Sequence, residues 1–500
     1  MNAGPDINRR QTLIVFGGLL LAMLLAVLDQ TILATALPTI VGELGGLNHL
    51  SWVITAYLLA STASTPIWGK VSDLYGRKLL FQSAIVIFVV GSALCGLSQN
   101  IGELIAFRGF QGIGAGGLMT LAMTIVGDIV SPRERGRYQG YIQVVFLGAS
   151  VAGPLIGGLF VDHLSWRWVF YVNVPLGVVA LAVIGAVLHL PVERVPHKID
   201  YPGAALLVGA VTTLLLVTVW GGEQYAWSSA EIMGLGAGGV LLLGASLWQE
   251  RRTAEPILPL RLFRDPVFSV VSVTLFIATC SLFAALVFLP LFLQIVTGQS
   301  ATDSGLLLLP LMVAATVSTV VSGRLIVKTG RYKIFPVVGL ALMTSGLALL
   351  STMDAGTSRT TASLFMAVFG LGFGMVSQVL VIAIQNSVDH HDLGVATASS
   401  NFFRALGGSI GVAIFGAVFT AHLIGPVSAK RLQSSPGQIR HFPPALRERM
   451  VEAVAHSIHW VFLVATPIAA LGFLLVLFLK EYPLRGPAQA SRPAQEPAPS

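Results

Sequence analysis

Charge is what this chain has least of. Across 500 residues, Asp, Glu, Lys and Arg together supply 11%, against about 25% in an ordinary soluble domain. Hydrophobic residues supply 54%. So little polar surface excludes a water-soluble protein of this length. Cysteine is almost missing as well. Cys95 and Cys280 both fall inside apolar stretches, which leaves them as small packing residues rather than a disulfide or metal pair. No Cys/His cluster offers a structural metal site, and the pattern G-x-x-x-x-G-K-[ST] does not occur, which argues against an ATP-driven pump.

What is present is a series of long apolar runs. Leu79–Ser98, Gly203–Trp220 and Trp460–Leu479 each approach or reach the roughly 20 residues that cross about 30 Å of hydrocarbon as a helix. Fourteen such spans can be read, the first over 12–37, the second over 50–69 and the last over 457–480. The first follows Arg9 and Arg10 and has the form of a signal peptide, but it is too long and too many spans follow; it reads as a retained span.

Lysine and arginine accumulate in cytoplasmic loops. With the N-terminus inside, 21 of them fall on the inside and 7 on the outside, while Arg108 and Arg404 lie within spans. The net charge of +7 is therefore an orientation signal, with both termini inside, and not a nucleic-acid surface. Five of the seven outside charges occupy one loop, 424–456. There Leu446, Met450 and Val454 recur every four residues, which predicts a short amphipathic helix lying on the outer surface, either a structural cap or a place for a partner. The Pro-, Ala- and Gln-rich stretch 486–500 reads as a disordered tail.

The chain also repeats itself. "GKVSDLYGRK" (69–78) and "GRLIVKTGRYK" (323–333) both follow a span on the inside. Gly69, Gly76 and Arg77 match Gly323, Gly330 and Arg331 at one offset of 254 residues. "SPRERG" (131–136) and "DHHDLG" (389–394) correspond in position. This predicts an all-α polytopic membrane protein with an N-terminal six-helix bundle over 1–195, two inserted helices over 196–265 and a C-terminal six-helix bundle over 266–485. Repeat-built transporters hold their cargo near the midplane between the halves.

Five motifs in order resemble the major facilitator superfamily, and within it the fourteen-spanner drug:proton antiporters of the EmrB/QacA type. They are "LDQTILATALP" (28–38), "GKVSDLYGRK", "RGFQGIGAGG" (108–117), "GPLIGG" (153–158) and "WRWVFYVNVPLG" (166–177). The resemblance covers about residues 10–480. It implies the major facilitator fold, an exporter rather than an enzyme, no cofactor beyond a coupling proton, and a place in the bacterial cell membrane, working as a monomer.

Residue by residue, the expectations are these. Asp29 is a carboxylate inside a span, where an acidic side chain costs about 2.5–3.5 kcal/mol on insertion scales. It is either a proton site or a group held permanently in a hydrogen-bond network. Arg108, at a compatible depth in span four, would contact Asp29 and set its proton release, or else form a fixed structural pair. "GIGAGG" (112–117) satisfies a nucleotide-binding spacing but lies inside an apolar span, where glycine serves close helix approach.

In the inside loop, the resemblance implies that Asp73 meets the N-terminal end of span thirteen, near Ala396. Asp128 would pair with Arg77, and Gly69 and Gly76 would complete a latch for the outward-open state. Val327 stands where the second-half copy would repeat Asp73, so the latch is one-sided. Gly153, Pro154, Gly157 and Gly158 match the motif the family associates with export, with Ala149 in place of a glycine in its extended form. Arg404 would face the cavity or a partner such as backbone carbonyls, Gln378, Gln385 or cargo. Candidate cavity-lining residues are Gln30, Tyr57, Gln111, Phe283, Gln378, Phe402 and Arg404.

Together these predict a proton-coupled multidrug efflux antiporter that moves amphipathic or monocationic compounds by alternating access. The other reading is an exporter of an endogenous lipid or metabolite that works with an envelope partner at the outer loop.

Overall fold

A computed structural model describes residues 9–44, 50–131, 134–188, 200–221, 224–253, 256, 259–298, 307–354, 356–389, 392–423 and 444–484. Among these the chain forms fourteen long helices: α1 (Arg9–Leu44), α2 (Leu50–Tyr75), α3 (Arg77–Leu97), α4 (Ile101–Ile129), α5 (Arg135–His163), α6 (Trp168–Val187), α7 (Tyr201–Trp220), α8 (Ala230–Glu250), α9 (Pro266–Ile295), α10 (Leu309–Thr329), α11 (Ile334–Ser351), α12 (Arg359–Ser387), α13 (Leu393–His422) and α14 (Pro444–Leu477). Thirteen are long and apolar enough to cross a membrane by composition alone. The other is α2. It is 26 residues long and carries Lys70 and Asp73 near its inner end. It packs on α4 and α13, so its polar groups have protein around them.

Side chains start several helices by binding the otherwise unpaired first N–H groups. Asn100 caps α4 through Glu103 N, Ser229 caps α8 through Ile232 N, and Ser358 caps α12 through Thr361 N. Gly76 (φ 95°) and Gly330 (φ 71°) make the turns out of α2 and α10. Both adopt the left-handed region that glycine enters without steric cost, and they are the repeat-related pair.

The repeat is visible in how the helices pair. Within the first half, α2 packs on α4, α3 on α4, α1 on α5 and on α6, and α3 on α6. The second half gives the same pattern eight helices later: α10 on α12, α11 on α12, α9 on α13 and on α14, and α11 on α14. The two bundles meet along α2 with α13 and along α5 with α10. Helices α7 and α8 form a hairpin outside this scheme, with α7 against both α2 and α13. Leu207, Val211 and Leu215 of α7 are buried with Leu59 and Ala63 of α2 and Phe402 of α13.

Two predicted boundaries change. Residues 444–456 do not form a separate helix. They are the first turns of α14, because the four-residue stripe of Met450 and Val454 continues in register through Ile458, Phe462, Ala465 and Ala469, all buried. The remainder of the outer loop, 424–443, and the tail 486–500 lie outside the described residues. Span thirteen starts at Leu393, ahead of Ala396.

Candidate functional site

Two constellations of charged residues stand out in the interior. The first surrounds Asp29. Its carboxylate is fully buried, and Arg108 beside it is 1% exposed. Arg108 Nη1 donates to Asp29 Oδ2 at 2.6 Å. Gln111 Nε2 and Asn173 Nδ2 both donate to Asp29 Oδ1, at 2.8 and 2.9 Å. Gln111 also accepts from Arg108 Nη1 through Oε1, at 2.7 Å. Arg108 Nε donates to the Val53 carbonyl at 3.3 Å, and the guanidinium carbon stands 4.2 Å from the centroid of the Tyr57 ring. Asn173 donates further to Ser92 Oγ, which donates to the Phe170 carbonyl. The cluster thus joins α1, α2, α3, α4 and α6.

The helical spacing explains the convergence. Arg108 and Gln111 are one turn apart on α4 and share a face. A charged pair taken out of water holds only when its remaining lone pairs and protons are satisfied. Here the three donors to the carboxylate supply most of that satisfaction, while Asn173 Oδ1 has no hydrogen-bond partner among the described residues. Asp29 is the counter-ion of Arg108 in this cluster.

The second constellation closes the inner side. Asp73 accepts from the backbone N–H groups of Gly394 (3.2 Å) and Val395 (2.9 Å), the opening turn of α13 in the other bundle. A carboxylate is favoured there by the helix dipole and the unpaired amides. Arg77 binds Asp73, donates to Ser72 Oγ at 2.8 Å, and donates from Nε to Asp128 Oδ2 at 2.9 Å. A Cβ on Gly69 would strike Ala398 and Gly394. The partner seam mirrors this contact: Gly323 and Gly136 face each other so closely that a Cβ on either would enter the other's backbone. Gln385 Nε2 of α12 donates to the Met123 carbonyl of α4 at 3.3 Å. Among the described residues, the hydrogen bonds between the bundles all lie in the inner half, so this conformation is sealed towards the inside.

The motif in α5 belongs to the first constellation. Gly153 and Gly157 let α5 lie directly on α1 at Thr31 and at Ile32 and Thr35, one turn beyond Asp29. Gly158 faces open space, and the side chain of Pro154 lies outside the described residues. The Ala149 carbonyl accepts from Thr31 Oγ1, so alanine fits the same seam.

The cavity candidates divide. Tyr57 and Gln111 are parts of the Asp29 cluster, because one stacks the guanidinium and the other bonds both charges. Phe402 packs in the seam between α2, α7 and α13, buried in an apolar cluster with Leu59, Ala63, Leu207, Val211 and Leu215. Gln30 is exposed, and the Phe283 ring lies against Gly408. Gln378 is buried with its Oε1 unpartnered among the described residues. Arg404 is half-buried, with no charged or hydrogen-bonding neighbour among the described residues. Gln385 is committed to Met123 and Thr397. Asn173 and Ser92 were not among the candidates. Asn173 was visible as an amide inside an apolar span, the same signal that marked Asp29.

Two pseudo-symmetric bundles, a buried ion pair in one of them and a one-sided seal at the inner face are the architecture of a membrane transporter. The family model for the Major Facilitator Superfamily matches residues 19–412. The chain belongs to that superfamily. It is 42% identical over 492 residues to an uncharacterized MFS-type transporter of Mycobacterium tuberculosis, covering 96% of this chain and 71% of that one. It is 38% identical over 506 residues to the multidrug transporter protein MdtP of Bacillus subtilis, covering 94% and 93%. Among solved structures, the human organic anion transporter MFSD10 superposes with a TM-score of 0.66 at 15% identity, over 94% of this chain and all of that one.

Proposed function

We propose that this transporter is a proton-coupled antiporter that exports amphipathic or monocationic compounds across the bacterial cell membrane. The observation that carries the reading is the Asp29 cluster: one carboxylate, sealed from water, with its charge matched by a single guanidinium. Protonation of Asp29 from the outside would release Arg108, loosen the joint between α1, α4 and α6, and permit the inner seal to open. Loss of the proton to the inside would restore the pair. The name of the Bacillus relative, a multidrug transporter, supports export of varied compounds. The scarcity of fixed polar groups among the spans supports amphipathic cargo.

A charge moved across the membrane is worth about 2.3 kcal/mol per 100 mV, roughly a 50-fold concentration ratio. Weak cargo affinity is then sufficient. The test is efflux of a fluorescent lipophilic cation from proteoliposomes under an imposed pH gradient. The reading requires efflux that stops when an uncoupler collapses the gradient. Efflux that continues unchanged would reject proton coupling.

A further inference from the structure

The inner face carries a third polar feature that neither the Asp29 cluster nor the latch uses. A recess of about 560 Å³ opens between the end of α8 and the start of α9, lined by Arg251, Leu260, Arg261 and Arg264. Arg251 follows the last residue of α8. Arg261 and Arg264 stand three apart in a short 3₁₀ turn, Leu260–Arg264. In a 3₁₀ turn, side chains at that spacing eclipse one another, so both guanidinium groups face the same way. Leu262, between them, is buried and anchors the turn.

Among the described residues, the positive charge in this recess is only partly balanced. Arg261 Nη2 pairs with Asp392 at 2.8 Å and remains 64% exposed. Arg251 and Arg264 are exposed, with no ion-pair partner among the described residues. Of the neighbouring acidic side chains that are described, Asp265 caps α9 through Val267 N at 2.9 Å, and Glu250 is buried.

We infer that this recess binds the phosphodiester headgroup of an anionic membrane phospholipid. The fork of N–H groups on arginine matches phosphate oxygens in pairs. Lipid, rather than a soluble phosphate, follows from position. The recess lies at the inner end of a membrane-crossing helix, where Trp248 is 54% exposed and carries Arg252 over its ring at 3.8 Å. Exposed tryptophan with arginine at a helix end marks the headgroup level. Above it, Val240, Leu241 and Leu247 of α8 are exposed and offer an apolar wall for acyl chains. Basic pockets between helices on the cytoplasmic side suit such headgroups. Because Arg261 also holds Asp392, the residue immediately before α13, the bound phosphate would sit one side chain away from the helix end that Asp73 caps.

The experiment is a thermal-stability titration of the whole protein in neutral detergent, with phosphatidylglycerol, phosphatidylcholine and inorganic phosphate as separate probes. Phosphatidylglycerol should raise the unfolding temperature saturably, and the other two should not. The double variant R251Q/R264Q should weaken the phosphatidylglycerol response about twenty-fold, near fivefold for each guanidinium removed. R252Q, which removes one neighbouring charge outside the recess, should leave it within about twofold. Equal binding by the double variant and the parent, or an equal loss in R252Q, would overturn the site. The same saturable shift with inorganic phosphate alone would overturn the lipid assignment.

Discussion

Asp73 Oδ2 accepts a hydrogen bond from the Val395 amide at 2.9 Å, and this bond joins helices of opposite bundles. Its counterpart does not exist in the other seam, where Val327 occupies the repeat position of Asp73. The inner seal is therefore polar along α2 and α13 and made by glycine contact along α5 and α10.

The polar seam predicts the effect of Asp73→Asn. A charged acceptor at a helix N-terminus contributes about 1–2 kcal/mol more than a neutral one. The variant should move the balance between the two conformations about tenfold towards inward-open. Cysteine labelling from either side of the membrane, at positions lining the inner halves of α4 and α13, reads this directly. Unchanged labelling would contradict a latching role.

The glycine seam makes a separate prediction. Gly323→Val places a side chain against the Gly136 backbone, which has no rotamer by which to yield. Inner closure should be blocked, transport lost, and protein level retained, since only one conformation is penalised. Gly148→Ala is the control, with nothing within 4 Å of its new Cβ. Loss of transport in both variants equally would point to general destabilisation.

Asn173 makes a prediction about stability. Its amide donates to Asp29 Oδ1 at 2.9 Å, and hydrogen bonds to charged groups contribute about 1.5–3 kcal/mol. Asn173→Leu should therefore lower the unfolding temperature of the purified protein. An unchanged unfolding temperature would show that this bond does not hold the cluster together.

Much of this was legible in the chain. The fold followed from apolar length and from the offset that relates Gly69 to Gly323, because membrane-crossing helices announce themselves by composition. Asp29 and Arg108 stood out because ionisable side chains in apolar spans are costly. Their matching depths pointed to the contact, but helix depth gives a height and no rotation about the axis, so the further bonds from Gln111 and Asn173 came only from the structure. Asn173 carried a fainter form of the same signal, since an uncharged amide costs less to bury than a carboxylate. The outer segment 444–456 misled for a different reason: its stripe is amphipathic when read alone, and only the continuation through Ile458 and Phe462 shows that the same face enters the core.

The central claim is that Asp29 carries the coupling proton. The most direct measurement is proton release on adding substrate to purified protein in weakly buffered detergent, comparing the parent with Asp29→Asn. The account predicts release by the parent and none by Asp29→Asn, with substrate binding preserved in both. Equal proton release from Asp29→Asn would contradict it.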